Sequence, residues 1–166
     1  MKKVSIFVDG GSLFCVQKDV LQWWVDPKKL LEWAQTKGEV VNARYYTITD
    51  DSNEAQQRYL KALASIGYSV QTRELRRYVQ EDGTEKFKGN LDVDIVLDMF
   101  NHIDRYEEAI LVSGNTEFAR PLRVLQARHK SFWVLSTQGF ISQELLQVAG
   151  THYIDIGSLR AQLEKD

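Results

Sequence analysis

Asp9 ends the apolar run Val4-Ser5-Ile6-Phe7-Val8 and is followed at once by Gly10-Gly11-Ser12. A carboxylate at the carboxyl tip of a strand, with two glycines to turn the chain away, faces the crevice where open α/β sheets bind ligands. Three further stretches carry polar groups of the same kind: Gly89-Asn90-Leu91-Asp92, Ser113-Gly114-Asn115, and Glu117. Acidic oxygens converging at strand ends suit a hard divalent cation and hydrolytic chemistry at phosphate.

Each candidate also has a purely structural use. Asp9 could do no more than hold the Gly-Gly turn through an Asx-type hydrogen bond; its place at a strand tip favours chemistry. For Asp92 the reasoning is geometric. On a helix over residues 91–103, Asp92, Val96, Met99 and Ile103 share one stripe, while Asp94, Asp98, Asn101 and Arg105 form an opposite face expected to be solvated. A carboxylate heading a buried stripe is unfavourable unless bonded or metal-bound, although a helix start would also welcome it as a cap. Asn115 is a good N-cap and Glu117 complements the first turn, so their structural and chemical uses balance. Ser113, or the backbone N–H groups around Gly114, could hold a phosphate.

The elements that must place these groups alternate between strand and helix, the pattern of a mainly parallel, Rossmann-like α/β sheet with helices on both faces. Strands are expected over residues 4–9, 40–49, 68–75, 109–113, 131–137 and 152–156. Residues 13–24 are apolar and irregular, a helix or loop over the sheet edge. Asp26-Pro27 starts a helix through Thr36, and Asp51 with Glu54 has the form of a capping box for the next helix, which stops at Gly67. Helices are also expected over 116–129 and 142–149, with Ser158 capping a terminal one. Asp82-Gly83, between two short alternating runs, signals a two-residue turn in a projecting β-hairpin.

Length and composition set the outer limits. At 166 residues the chain is expected to form a single domain, 1–166. A net charge of −2 means that any polyanion site is a local patch. The one cysteine, Cys15, excludes an intramolecular disulfide and is expected to be a small buried hydrophobe. A strand beginning at Val4 leaves no room for a signal peptide, and no apolar run nears the ~20 residues of a membrane span. A cytoplasmic protein with no membrane partner is expected. Trp23-Trp24 should anchor the early helix; the apolar residues along 13–24 would form a homodimer face or, equally, be buried under the sheet, and a protein partner is a separate expectation. Arg73, Arg76, Arg77, Lys86 and Lys88 gather around the hairpin with acids interleaved, which by default makes a solvated surface; if the hairpin overhangs the crevice, they would meet the phosphates of a nucleic acid strand.

Taken together, Val8-Asp9-Gly10, then Lys88-Gly89-Asn90-Leu91-Asp92-Val93, then Val112-Ser113-Gly114-Asn115-Thr116-Glu117-Phe118 followed by Pro121-Leu122, resemble the NYN family. Within it the chain is similar to the LabA-like bacterial branch, whose domain is a PIN-like nuclease fold. The resemblance covers nearly the whole chain, and its second motif is the most specific. It implies a Mg²⁺- or Mn²⁺-dependent endoribonuclease with catalytic Asp9, Asp92, Asn115 and Glu117. Asp9, Asp92 and Glu117 would hold the metal. Ser12, Arg76, Arg77, Lys88, Ser113 and Gly114 would meet the RNA, single-stranded in preference.

Three positions depart from the family pattern. Ser12 stands where the first motif has Asn, and Asn115 and Glu117 stand where the third has two Asp. Glu keeps the charge on a longer arm. Asn keeps an oxygen but removes one negative charge from a site meant for a cation. The alternative is therefore an NYN-fold protein of impaired catalysis, acting as an RNA-binding, regulatory or protein-interaction module.

Overall fold

The computed structural model describes residues 1–88 and 90–166, with the backbone alone for Arg76, Arg77 and residues 85–88. Strand β1 (Lys3–Asp9) runs straight into helix α1 (Gly10–Val16), which a π-helical turn (Gln17–Leu21) extends. Then follow α2 (Pro27–Gln35), β2 (Glu39–Thr49), α3 (Glu54–Ile66) and β3 (Ser69–Glu74). The hairpin β4 (Arg76–Val79) and β5 (Glu85–Lys88) precedes α4 (Asp92–Asn101). The chain closes with β6 (Glu108–Val112), α5 (Ala119–Ala127), β7 (Ser131–Ser136), α6 (Gln143–Ala149), β8 (Tyr153–Asp155) and α7 (Arg160–Leu163).

Six strands form one sheet in the order β3-β2-β1-β6-β7-β8, every neighbouring pair parallel. This is the expected α/β class. β1 divides its side chains between two cores: Val4, Ile6 and Val8 pack with α1, α2, α3 and α7, while Phe7 packs with α4, α5 and α6. Ile6, Phe7 and Val8 are fully buried. A slip of one residue would exchange those faces, so burial on both sides pins the register that sets Asp9 at the strand end.

Local chemistry accounts for several differences from expectation. α1 starts at Gly10, because Asp9 itself is its N-cap and accepts from the Ser12 N–H. The turn of α1 then carries Leu13 and Val16 inward and Phe14 and Cys15 outward, so Cys15 is exposed rather than buried. Trp23 is an anchor at 6 % exposure, but Trp24 is half-exposed. Asn53, not Asp51, caps α3, its side chain accepting from the Gln56 N–H. The hairpin turn has three residues rather than two: Gly83 N–H donates to Gln80 O, Gln80 N–H to Thr84 O, and Gly83 takes φ +84°. Ser158 caps nothing; Asp155 accepts from the Gly157 N–H and starts the last helical turn. No helix among the described residues is long and apolar enough to cross a membrane.

Candidate active site

β1 lies between β2 and β6, with Val8 paired to Val112. The chain leaves β1 through α1 toward one face of the sheet and leaves β6 toward the other. A crevice must open between their carboxyl ends, at the topological switch point. Asp9 and Ser113 are the residues at its lip.

Asp9 is buried, at 8 % exposure, and each of its oxygens is engaged. Oδ1 accepts from the Ser12 backbone N–H at 3.2 Å. Oδ2 accepts from the Ser113 hydroxyl at 2.9 Å and from Asn115 Nδ2 at 3.1 Å. Asn115 Nδ2 also donates to both oxygens of Asp92, at 3.3 and 3.1 Å. One amide nitrogen thus sits against two carboxylates from separate elements, Asp9 at the end of β1 and Asp92 at the start of α4. Two further contacts close the loop: Gly114 N–H donates to Ser12 Oγ at 3.3 Å, and Asn115 N–H to Ser113 Oγ at 3.2 Å. Gly114 is required here, since a Cβ would lie 2.7 Å from Ser136 Oγ and 3.0 Å from Ile141 Cα.

The structural uses weighed from sequence can now be separated. Asp9 has both roles, capping α1 with one oxygen and facing the crevice with the other. Asn115 precedes a helical turn but makes no side-chain cap there; its amide is spent on the carboxylates. Asp92 caps nothing either. Leu91 holds the cap position of α4, and the Asp92 N–H donates to Asn90 Oδ1 at 3.2 Å. Asn90 is a site residue that sequence reasoning passed over, although an Asn two places before an acid is an Asx-turn signal.

Electrostatics mark the pair. Burial raises the Asp9 carboxyl above its ordinary range, against the lowering effect of the Ser12, Ser113 and Gly11 hydrogen bonds. Asp92 is pushed up to about 6, by burial first, then by the charges of Asp9 and Glu117, with the Asn115 hydrogen bond opposing. Two like charges short of a counter-charge are a favourable setting for a cation. The donors are all oxygen, which suits Mg²⁺ or Mn²⁺. The fit requires the Asn115 amide to turn, because it now presents N–H where a metal would want its oxygen. Glu117 is exposed, and among the described residues no three His, Cys, Asp or Glu converge on a metal position. Its charge nonetheless reaches both Asp9 and Asp92.

The crevice has a volume of about 300 Å³, lined among others by Ser12, Tyr46, Asn90, Asp92 and Asn115. The side chains of Arg76, Arg77 and Lys88, and Gly89 altogether, lie outside the described residues. Asp98, expected on a solvated face, is instead half-buried; it accepts from the Tyr46 hydroxyl at 2.8 Å and pairs with Arg44 at 3.4 Å.

A family model described as the NYN domain matches residues 3–157, from β1 through the last strand. The chain belongs to the NYN family. NYN domains are generally nucleases that bind RNA and use a divalent metal. Among NYN relatives, the chain is 35 % identical over 167 residues to the low amplitude and bright protein LabA of Synechococcus elongatus, covering 98 % of this chain and 88 % of that protein. In fold it is similar to a crystal structure of a protein of unknown function, VPA0982, from Vibrio parahaemolyticus. The TM-score is 0.78 at 25 % identity, with 93 % of each chain covered.

Proposed function

We propose that this NYN protein is a metal-dependent endoribonuclease that hydrolyses single-stranded RNA at the Asp9–Asp92 crevice, in the cytoplasm. One observation carries the proposal: two buried carboxylates from separate motifs meet at the switch point, both held above their ordinary pKa range. Asp9 and Asp92 would hold Mg²⁺ or Mn²⁺, and Glu117 would add charge directly or through water. When bound, such an ion supplies an activated water and offsets charge growing on the phosphoryl oxygens. Asn115, tied to both acids, orients the water or the scissile phosphate. Ser12, Ser113 and Gly114 shape the lip that receives the phosphodiester, and Arg76, Arg77 and Lys88 of the hairpin steer the backbone.

The test is cleavage of a single-stranded RNA with Mn²⁺ by wild type and by Asp9→Asn. Cleavage abolished in the variant is the expected result. Undiminished cleavage would remove the proposal, since the activity would then belong to something else.

A second reading is favoured by Asn115 alone. Its Nδ2 already bridges the two acids that would hold a metal, which suits a crevice that binds RNA without cutting it. RNA cleavage seen in Asn115→Asp and absent from wild type would select this reading.

A further inference from the structure

Beside the carboxylate crevice lies a larger hollow, about 700 Å³, that the proposed hydrolysis leaves unused. The two adjoin, with Gly11, Thr47 and Ile48 lining both. Two aromatic rings stand at the hollow with their surfaces open: Phe14 is 52 % and Trp24 50 % exposed, their centroids 5.9 Å apart. Phe14 is exposed because α1 turns Leu13 and Val16 to the core and so must turn Phe14 away. Gln17, also in the lining, is buried at 7 % exposure. Its Oε1 accepts from the Val25 N–H at 2.8 Å. Its Nε2 makes no hydrogen bond among the described residues, which leaves a donor available at the wall of the hollow. Lys165 adds a cation to the same lining, its ammonium unpaired among the described residues.

We propose that this hollow is a nucleobase subsite. It takes the base of the nucleotide next to the phosphodiester in the Asp9–Asp92 crevice; the choice of RNA as occupant rests on the ribonuclease reading. Each feature has a matching part on a nucleotide. The flat π-face of a base stacks on Phe14 and Trp24 without regard to sequence. Gln17 Nε2 donates to a carbonyl or ring nitrogen on the base edge, which every base offers. Lys165 meets a backbone phosphate on the far side. The two spaces adjoin at Gly11, Thr47 and Ile48, so neighbouring nucleotides of one strand would occupy both.

The experiment measures binding apart from cleavage, by fluorescence anisotropy of a labelled single-stranded RNA hexamer in EDTA, with Trp fluorescence recorded alongside. Trp24→Ala and Phe14→Ala are expected to weaken binding roughly 10-fold each, the scale of one lost base stack. Trp24→Phe should keep most of the affinity. An abasic hexamer should bind wild type weakly and the variants no more weakly. Equal affinity of wild type and both alanine variants would overturn the subsite, as would an abasic strand bound as tightly as the complete one. A dimer in sedimentation that Trp24→Ala dissolves would also overturn it, giving the face to a second copy. The two proposals fail separately. RNA cleavage lost in Asp9→Asn but unchanged in KM by Trp24→Ala keeps the nuclease and removes the subsite. Base-dependent binding through Trp24, with no cleavage by any variant, does the reverse.

Discussion

Asn115 Nδ2 lies 3.1 Å from one oxygen of Asp92 and 3.3 Å from the other. The same nitrogen is 3.1 Å from Asp9. The assignment of this amide follows from its surroundings, because its oxygen would face three acceptors with no proton between them. Asn115→Asp exchanges that donor for a third, half-buried charge beside the two buried ones. In EDTA the variant is expected to lose about 2–4 kcal/mol of stability, the scale of an uncompensated buried charge. Mn²⁺ should restore more of its melting temperature than it adds to wild type, since a third carboxylate tightens the ion and bound ligand stabilises by mass action. Paired thermal melts check this. Equal melting of the two proteins in EDTA would show that the bridge contributes nothing.

The acidic pair sets a pH dependence with a definite sign. Asp92 is raised to about 6 and Asp9 is raised as well, so the folded chain binds more protons than the unfolded chain above the usual carboxylate range. Their contribution is full below about 4 and is lost as pH rises through about 6. His102 acts in the opposite sense, because burial and Arg44 hold it below its ordinary value. The measurement is therefore the difference between wild type and Asp92→Asn, by urea denaturation in EDTA. At pH 7 the variant should be more stable by about 1–2 kcal/mol, and the gap should close by pH 4 to 5. A gap that does not vary with pH would mean Asp92 titrates normally.

Some of this site was legible in the sequence and some was not, for physical reasons. Asp9 was readable because strand and turn are local patterns. Asp92 was readable because a helical stripe of Val96, Met99 and Ile103 placed it at the buried end. Residues 13–24 were harder, since Leu13 and Val16 face the core while Phe14 and Trp24 do not. An apolar run of mixed exposure has no clean period. The direction of the Asn115 amide depends on β6 lying beside β1, which no local pattern encodes. Asp98 was misjudged for the same reason: its partners Arg44 and Tyr46 come from β2, some fifty residues earlier.

Two glycines at the crevice should respond in opposite ways to one added methyl group. At Gly114 a Cβ meets Ser136 Oγ at 2.7 Å, Ile141 Cα at 3.0 Å and Phe140 Cδ1 at 3.0 Å. Two of these are a backbone atom and a packed ring, which yield little, so the loop carrying Ser113 and Asn115 must move. Gly114→Ala should cost about 1–3 kcal/mol and weaken Mn²⁺ binding measured by calorimetry. Gly11 sits inside α1, and its Cβ would reach Asp9 Oδ1 at an ordinary 3.7 Å. Gly11→Ala should stabilise by up to about 1 kcal/mol, the helix preference of alanine. Similar losses in both variants would mean the clash at Gly114 is relieved without displacing the loop.

Tyr46 stands beside Asp9 in the sheet, paired with it across β1 and β2. Its ring is buried at 1 % exposure, and its hydroxyl donates to Asp98 at 2.8 Å. Asp98 also pairs with Arg44 at 3.4 Å, and Arg44 contacts His102 at 2.9 Å. Tyr46→Phe removes one hydrogen bond and keeps the ring, so a loss of about 1 kcal/mol is expected. Asp98→Ala strands both the tyrosine hydroxyl and a half-buried guanidinium, and should cost more, about 2–3 kcal/mol. The two changes share Asp98, so the double variant should lose less than the sum of the singles. A solvated Asp98 would give a different result. Its removal would then stay within about 0.5 kcal/mol and add independently to Tyr46→Phe, and α4 would be held near Asp9 by apolar packing alone.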